Sequence, residues 1–245
     1  MPGMCDAVSC RRQRALLARI QRRFETIRET IHAGPRQVRF TRIADPNRVL
    51  NEVAEAEDRR ERVTGIRLED EQLRLPYWAE IWDSARGIAQ MLASEMDGQL
   101  AGRRVLDLGC GMGLVGTVAA MLGAKVTFAD LESEALLFAR YNTLPWHRQV
   151  RARQLNWRTD RLDDRFDLII GADILYEQSQ WKHLERFWRE HLADGGQVLL
   201  GEPGRPTGEL FVRWIQQYRW RLVIKQQRIE TRSTPIRLLW LDEPR

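Results

Sequence analysis

The sequence predicts an α/β protein, a parallel sheet with helices on both faces, and three observations carry that expectation. The stretch Val105-Leu106-Asp107-Leu108-Gly109-Cys110-Gly111-Met112-Gly113-Leu114-Val115-Gly116 passes from a short apolar run through alternate glycines into helical spacing (Leu114, Val115, Val118, Ala119, Leu122). Phe166–Ala172 is almost entirely apolar, as a central parallel strand buried on both faces requires. Around these two stretches, strand-like and helix-like segments alternate to the end of the chain.

A strand, a glycine-rich turn and a helix bring a ligand against bare backbone at a helix N-terminus. Glycine serves there because a Cβ would hold the ligand away and because the turn can need positive φ. Gly111-x-Gly113-x-x-Gly116 satisfies the dinucleotide fingerprint, and Asp130 follows the next strand at about the distance of a ribose-binding acid. Asp107 tilts the choice away from a dinucleotide. It stands at the strand's end, where a dinucleotide fold usually carries an apolar residue, and a carboxylate suits a ligand with a positive charge better than a pyrophosphate. S-adenosylmethionine carries an ammonium and a sulfonium. The stretch resembles motif I of the class I (seven-stranded) S-adenosylmethionine-dependent methyltransferases. That resemblance implies a Rossmann-like seven-stranded sheet and S-adenosyl-L-methionine as cofactor, with Asp107, Gly109, Cys110, Gly111 and Gly113 beside it.

At 245 residues the chain has room for one sizeable α/β domain and an appendage. The net charge is +5, but 34 acidic residues are interspersed with the basic ones, so a solvated mixed surface is expected rather than a nucleic-acid partner. Cys5, Cys10 and Cys110 form neither an even disulfide framework nor a metal-ligand pattern, which fits a reduced, cytoplasmic setting. No apolar run approaches membrane-spanning length, and no secretory signal pattern opens the sequence.

Residues 1–74 read as an N-terminal helical extension to a catalytic domain over 75–245. Residues 1–10 read as a disordered start. From Arg11 to Ile31 the pattern is helical, with Leu16, Leu17, Ile20, Phe24, Ile27 and Ile31 on one face and arginines over the rest. Such a helix can lie on a membrane or act as a targeting peptide, but Glu25 and Glu29 interrupt the basic face and favour a docked surface helix. Gly34-Pro35 ends it, and Gln37–Thr41 can form a short strand. Asp45-Pro46 supplies an N-cap and first-turn proline for a second helix, through about Arg62, whose charged face keeps it at the surface.

Leu75-Pro76-Tyr77-Trp78-Ala79-Glu80-Ile81-Trp82 gathers three aromatic residues before a helix from about Ser84 to Glu95. Aromatic residues there can be core or ligand wall. The stretch resembles the Tyr-Trp-Ala-x-x-Trp of lysine methyltransferases acting on the electron-transfer-flavoprotein β-subunit. That resemblance implies cofactor contact for Trp82 and leaves Trp78 open between ligand and core. Lys125–Ala129 reads as a strand ending in Asp130, whose carboxylate can accept both ribose hydroxyls; the alternative is an N-cap for the helix near Ser133. A third strand lies near Arg151–Leu155. Asn156-Trp157 closes it where the resembling family has Leu-Asp-Trp, which implies Trp157 near the adenine and leaves no acid at Asn156.

After the central strand, which ends at Ala172 beside the cofactor, comes Asp173-Ile174-Leu175-Tyr176. Ligands in open α/β sheets collect beyond the strands' carboxyl ends, so Asp173 and Tyr176 should face the crevice of Gly109–Gly113. This Asp-x-x-Tyr resembles the protein-lysine methyltransferase branch and implies that Asp173 and Tyr176 form the catalytic pair, with Asp173 recruiting the lysine ammonium and then holding the amine. A helix from about Gln178 to His191, a strand Gln197–Gly201, Glu202-Pro203-Gly204-Arg205 (similar to the family's Asp-Pro-Gly-Arg), a helix Gly208–Tyr218 and strands Trp220–Ile229 and Ile236–Leu241 complete the chain. The resemblance implies that the last strand inserts antiparallel. His32, His147, His183 and His191 are scattered, read as surface or helix-end residues, and suggest no metal site. The function expected is transfer of a methyl group to a lysine of a protein substrate. Methylation of a small amine and a non-catalytic adenosine- or dinucleotide-binding module are the alternatives.

Overall fold

A computed structural model describes residues 7–65, 75–146 and 150–243. The first helix, α1 (Ala7–Gln21), starts inside the stretch expected to be disordered and does not run on to Ile31. Instead β1 (Thr26–Ala33) pairs antiparallel with β2 (Arg36–Ile43) around Gly34-Pro35. The helical reading failed because Ile27 and Ile31 fit both periods. The β-branched Thr26, Ile27, Thr30 and Ile31 favour extended backbone, and buried Ile31 and Ala33 flank exposed His32. The second helix, α2 (Pro46–Thr64), is as expected: Asp45 Oδ1 accepts the N–H groups of Asn47 (3.0 Å) and Arg48 (3.3 Å), and no residue of the helix is buried.

Residues 7–65 are therefore two helices around a hairpin, and the hairpin is not peripheral. Ile31, Val38, Phe40 and Ile43 are buried in the same hydrophobic cluster as Ile88, Val115 and Phe138 of the seven-stranded unit. Each such side chain contributes roughly 1.5–3 kcal/mol. The expected domain edge at 74/75 borders residues 66–74, which lie outside the described residues, as do Cys5 and His147.

The remaining elements are α3 (Asp83–Glu95), β3 (Arg104–Leu108), α4 (Leu114–Met121), β4 (Lys125–Asp130), α5 (Ser133–Thr143), β5 (Arg151–Gln154), β6 (Phe166–Ala172), α6 (Trp181–His191), β7 (Leu192–Glu202), α7 (Pro206–Gln216), β8 (Arg221–Gln227) and β9 (Ile236–Asp242). The strand order is β5-β4-β3-β6-β7-β9-β8. All neighbours are parallel except β9, which runs antiparallel to both β7 and β8. Successive strand residues alternate between two cores. Val105, Phe128, Ile170 and Leu199 pack towards α3, α4, α5 and the hairpin. Leu106, Leu108, Ile169 and Leu200 pack towards α6 and α7, meeting Trp181, Phe187, Trp188 and Phe211.

His191 ends α6, as expected of a helix-end residue, but it is buried rather than at the surface. Its Nε2 accepts the Leu162 N–H (2.9 Å), so Nδ1 carries the proton donated to the Phe187 carbonyl (2.7 Å). Burial holds its pKa below the usual imidazole value.

Candidate active site

The chain leaves β3 outward to β4 and β5, then returns to lay β6 on the other side of β3. The strand order reverses there, and ligand crevices open beyond the carboxyl ends of strands at such a point. The glycine turn follows β3, and Asp173–Tyr176 follows β6. The two touch directly. A Cβ on Gly109 (φ 65°) would lie 2.8 Å from Ile174 Cγ2 and 3.6 Å from the Trp157 ring.

The other glycines divide by task. Gly111 approaches the Trp78 carbonyl, 3.3 Å from where its Cβ would stand. Gly113 and Gly116 face the protein interior: added Cβ atoms would meet Ala139 Cβ at 2.6 Å and Phe128 Cε1 at 2.3 Å. The last two fingerprint positions thus let α4 close on α5 and β4.

The two acids hold the turn. Asp107 is 2% exposed, and its Oδ2 accepts the Gly116 N–H at 2.8 Å. Burial raises its pKa to about 7, against that hydrogen bond, with the nearby Asp130 charge adding to the rise. Asp107 lies behind the turn, tied to the start of α4. Asp130 accepts from Gly111 N through Oδ2 (2.8 Å) and from Glu132 N through Oδ1 (3.0 Å). Burial lifts its pKa to about 6, opposed chiefly by the same two N–H groups. It binds the Glu132 N–H just before α5, a cap-like role, and Ser133 turns instead to Glu134. The Cys110 thiol is free, half-buried and pushed up in pKa by burial.

Trp157 is half-buried, its Nε1 donating to Gln180 Oε1 at 3.1 Å. Asn156 is used locally: its Oδ1 accepts the Arg158 N–H at 3.0 Å. The open question over Trp78 is resolved towards the core, where its ring meets Phe24 (5.5 Å) and Phe138 (6.0 Å). Trp82 faces the other way, with Nε1 donating to the Tyr77 carbonyl at 2.9 Å. Tyr77 packs edgewise on both Trp82 (6.2 Å) and Tyr176 (5.8 Å). Tyr77 and Tyr176 remain 45% and 41% exposed, so this aromatic wall opens to solvent. Burial first, then the Glu177 charge, raises the Tyr176 hydroxyl to about 12.

Asp173 takes a left-handed conformation (φ 60°) with its N–H bonded to the Gly201 carbonyl at 2.9 Å. Its carboxylate faces Arg205 through both oxygens, Nη1 to Oδ1 and Nη2 to Oδ2 (3.3 Å). Burial raises the Asp173 pKa, and Arg205 opposes the rise. The Arg205 guanidinium also lies 5.7 Å above the Trp82 ring. Sequence reasoning quoted Arg205 but gave it no role. The clue was its place after β7, because Ala172 and Gly201 are register partners and the residues beyond them must adjoin. These side chains line a groove of about 690 Å³ with Glu80, Asp83, Pro203 and Arg232. Among the described residues, no group of three or more His, Cys, Asp or Glu side chains could hold a metal ion.

The strand order, the antiparallel β9 and the glycine turn define the class I, seven-stranded methyltransferase fold. A solved ribosomal protein L11 methylase from Lactobacillus delbrueckii subsp. bulgaricus shares it, with a TM-score of 0.54, 19% identity, and coverage of 67% of this chain and 80% of that one. Within that class, the chain belongs to the lysine methyltransferase family, whose model matches residues 63–216. Protein N-lysine methyltransferase METTL21A of Danio rerio is 40% identical over 144 residues, 55% of this chain and 64% of the relative. The electron transfer flavoprotein beta subunit lysine methyltransferase of the same organism is 32% identical over 141 residues, 55% of this chain and 52% of the relative. The match thus spans less than two thirds of either relative's length.

Proposed function

We propose that this chain binds S-adenosylmethionine in the crevice of the glycine turn and N-methylates a lysine side chain of another protein. The observation that carries the reading is the packing of Ile174 on Gly109. It makes the cofactor turn and the Asp173–Tyr176 segment one continuous surface, in a chain of the lysine methyltransferase family.

The residues fit the cofactor. Each Asp130 oxygen accepts one backbone N–H and keeps acceptor capacity for a ribose hydroxyl. Trp157, fixed by Gln180, offers a flat surface to a purine. The bare Gly109 and Gly111, with Cys110 between them and Ala172 at the end of β6, leave room for the amino-acid end, and Trp82 covers the crevice. When bound, S-adenosylmethionine supplies a methyl group on a positively charged sulfur, which an uncharged amine can accept.

The chain's own task is to present that amine. A free lysine has a pKa about 3.4 units above pH 7, equivalent to roughly 4.6 kcal/mol. The Tyr77, Trp82 and Tyr176 rings desolvate the entering side chain and disfavour its charged form. The Tyr176 hydroxyl stays protonated through the physiological range and orients the amine by hydrogen bonding rather than as a base. Orientation supplies most of the acceleration. The cytoplasm is the compartment this reading assigns, supported by the free Cys110 thiol. No helix among the described residues is long and apolar enough to cross a membrane.

The test is to incubate the protein with labelled S-adenosylmethionine and a cell extract and locate the label by mass spectrometry. Methyl-lysine in a protein is expected. Label confined to small molecules would favour the small-amine alternative, and cofactor binding without transfer would favour the non-catalytic module.

A further inference from the structure

We infer that Arg205 is a positioning residue that decides the charge state in which the acceptor lysine docks. The sequence alone has Asp173 recruit the lysine ammonium, but Arg205 holds both of its oxygens, so it denies the ammonium that counter-ion and lets the side chain settle as the neutral amine. The inference rests on the lysine reading above.

Asp173 lines the groove together with Trp82, and its side chain is only 7% exposed. Left unpaired, such a carboxylate would raise the pKa of an adjacent lysine by about 1–3 units, opposing the deprotonation that transfer needs. Paired with Arg205, it offers the ammonium little attraction, while burial still lowers the lysine's pKa. The pair is held from both ends. Asp173 is pinned by its N–H bond to Gly201. The backbone N–H groups of Gly204 and Arg205 bind Glu202 Oε1, and Arg237 Nε holds Glu202 Oε2 at 2.6 Å. Arg205 thus projects from a braced loop, and its planar fork matches a carboxylate in a way a lysine could not.

The other charges facing the groove do not replace it. Asp83 Oδ1 accepts from Thr231 Oγ1 at 2.9 Å, and Glu80 sits at the exposed rim. Arg232 donates to the Pro203 carbonyl at 2.9 Å and to Thr234; its charge favours the Asp173 carboxylate less than the direct Arg205 contact does, and the Glu202 charge opposes it. Glu177, Asp130, Tyr77 and Asp173 all bear on Tyr176, whose hydroxyl does not titrate below about 12.

The experiment measures labelled methyl transfer into lysine of a dialysed extract, at saturating S-adenosylmethionine, for wild type, Arg205→Gln, Arg205→Lys and Arg205→Gln/Asp173→Asn. The range is about pH 7.5 to 10, above the titrations of Asp107 and Asp130 and below that of Tyr176. Arg205→Gln should move the acid limb up by about one unit or more, so that it is roughly tenfold slower at pH 7.5 and within about threefold of wild type at pH 10. Arg205→Lys should fall between. Adding Asp173→Asn should return the limb towards the wild-type position, because no unpaired acid remains. Equal fractional loss at every pH, or a double variant no better placed than Arg205→Gln, would overturn the inference while leaving lysine methylation standing. Wild type that labels no lysine would overturn both.

Discussion

Asn142 offers a stringent test of how the hairpin bears on the cofactor crevice. It is 2% exposed, and its amide makes three bonds: Nδ2 donates to the Thr41 carbonyl (3.0 Å) and the Met112 carbonyl (3.2 Å), and Oδ1 accepts the Thr41 N–H (2.9 Å). One side chain therefore ties β2 to the glycine turn. Asn142→Ala strands three backbone groups away from water, at roughly 1–3 kcal/mol each. Even the low end sums to ~3 kcal/mol, and a chain of this size loses about 2–4 °C of Tm per kcal/mol, so a fall of about 6–12 °C is expected. If about 1 kcal/mol of that belongs to the turn, S-adenosylhomocysteine should bind about fivefold more weakly. Asn142→Asp should be worse than alanine, since it keeps the bond from Thr41 N–H but turns an anionic oxygen on two carbonyls. Thermal unfolding and calorimetric titration read both effects. Melting and affinity indistinguishable from wild type in both variants would show that the hairpin is an appendage and refute the argument.

Gly116→Ala should destabilise by about 1–3 kcal/mol through overpacking against Phe128, although glycine to alanine inside a helix ordinarily gains stability; chemical denaturation gives the sign. Asp107 and Asp130 have folded pKa values of about 7 and about 6, above the ordinary carboxylate value. Between about pH 4 and those values the folded chain binds more protons than the unfolded one, so their contribution lowers stability as pH rises and levels off above about 7. Asp107→Asn, which can still accept from Gly116, should flatten that decline in melting curves taken across pH. Asp130→Ala should weaken cofactor binding by roughly 1–3 kcal/mol, by leaving ribose hydroxyls unpaired; unchanged affinity in a calorimetric titration would remove Asp130 from the site.

The sheet was legible because its central strands are buried on both faces and bounded by glycine or by helical spacing. The run Phe166–Ala172 and the turn after Leu108 needed no tertiary information. Half of the hairpin was legible, since the strand expected at Gln37–Thr41 lies within β2; β1 was not, because two isoleucines four residues apart satisfy a helix face as well as a strand, and only packing on α3 decides between them. Trp78 and Trp82 lie in one short aromatic stretch yet face opposite ways, one into Phe24 and Phe138 and one over Tyr77. A single 3-10 turn over Tyr77–Ala79 sets that divergence, and no periodicity reports it. The Asp173–Arg205 pair joins residues far apart in sequence. It becomes visible only once β6 and β7 are known to be neighbours.

The antiparallel insertion of β9 has a consequence for the order in which the molecule can be assembled. β8 is made before β9 but has no place on the sheet until β9 arrives to pair with it and with β7. During synthesis, the half that carries the glycine turn can close around β3, β4 and β5 while β7 still presents an open edge. A nascent chain halted before Ile236 would carry that raw edge beside an unanchored β8, an invitation to pair with a neighbour. β9 is thus a keystone: its arrival covers the edge of β7 and anchors β8, which becomes the outer strand of the finished sheet.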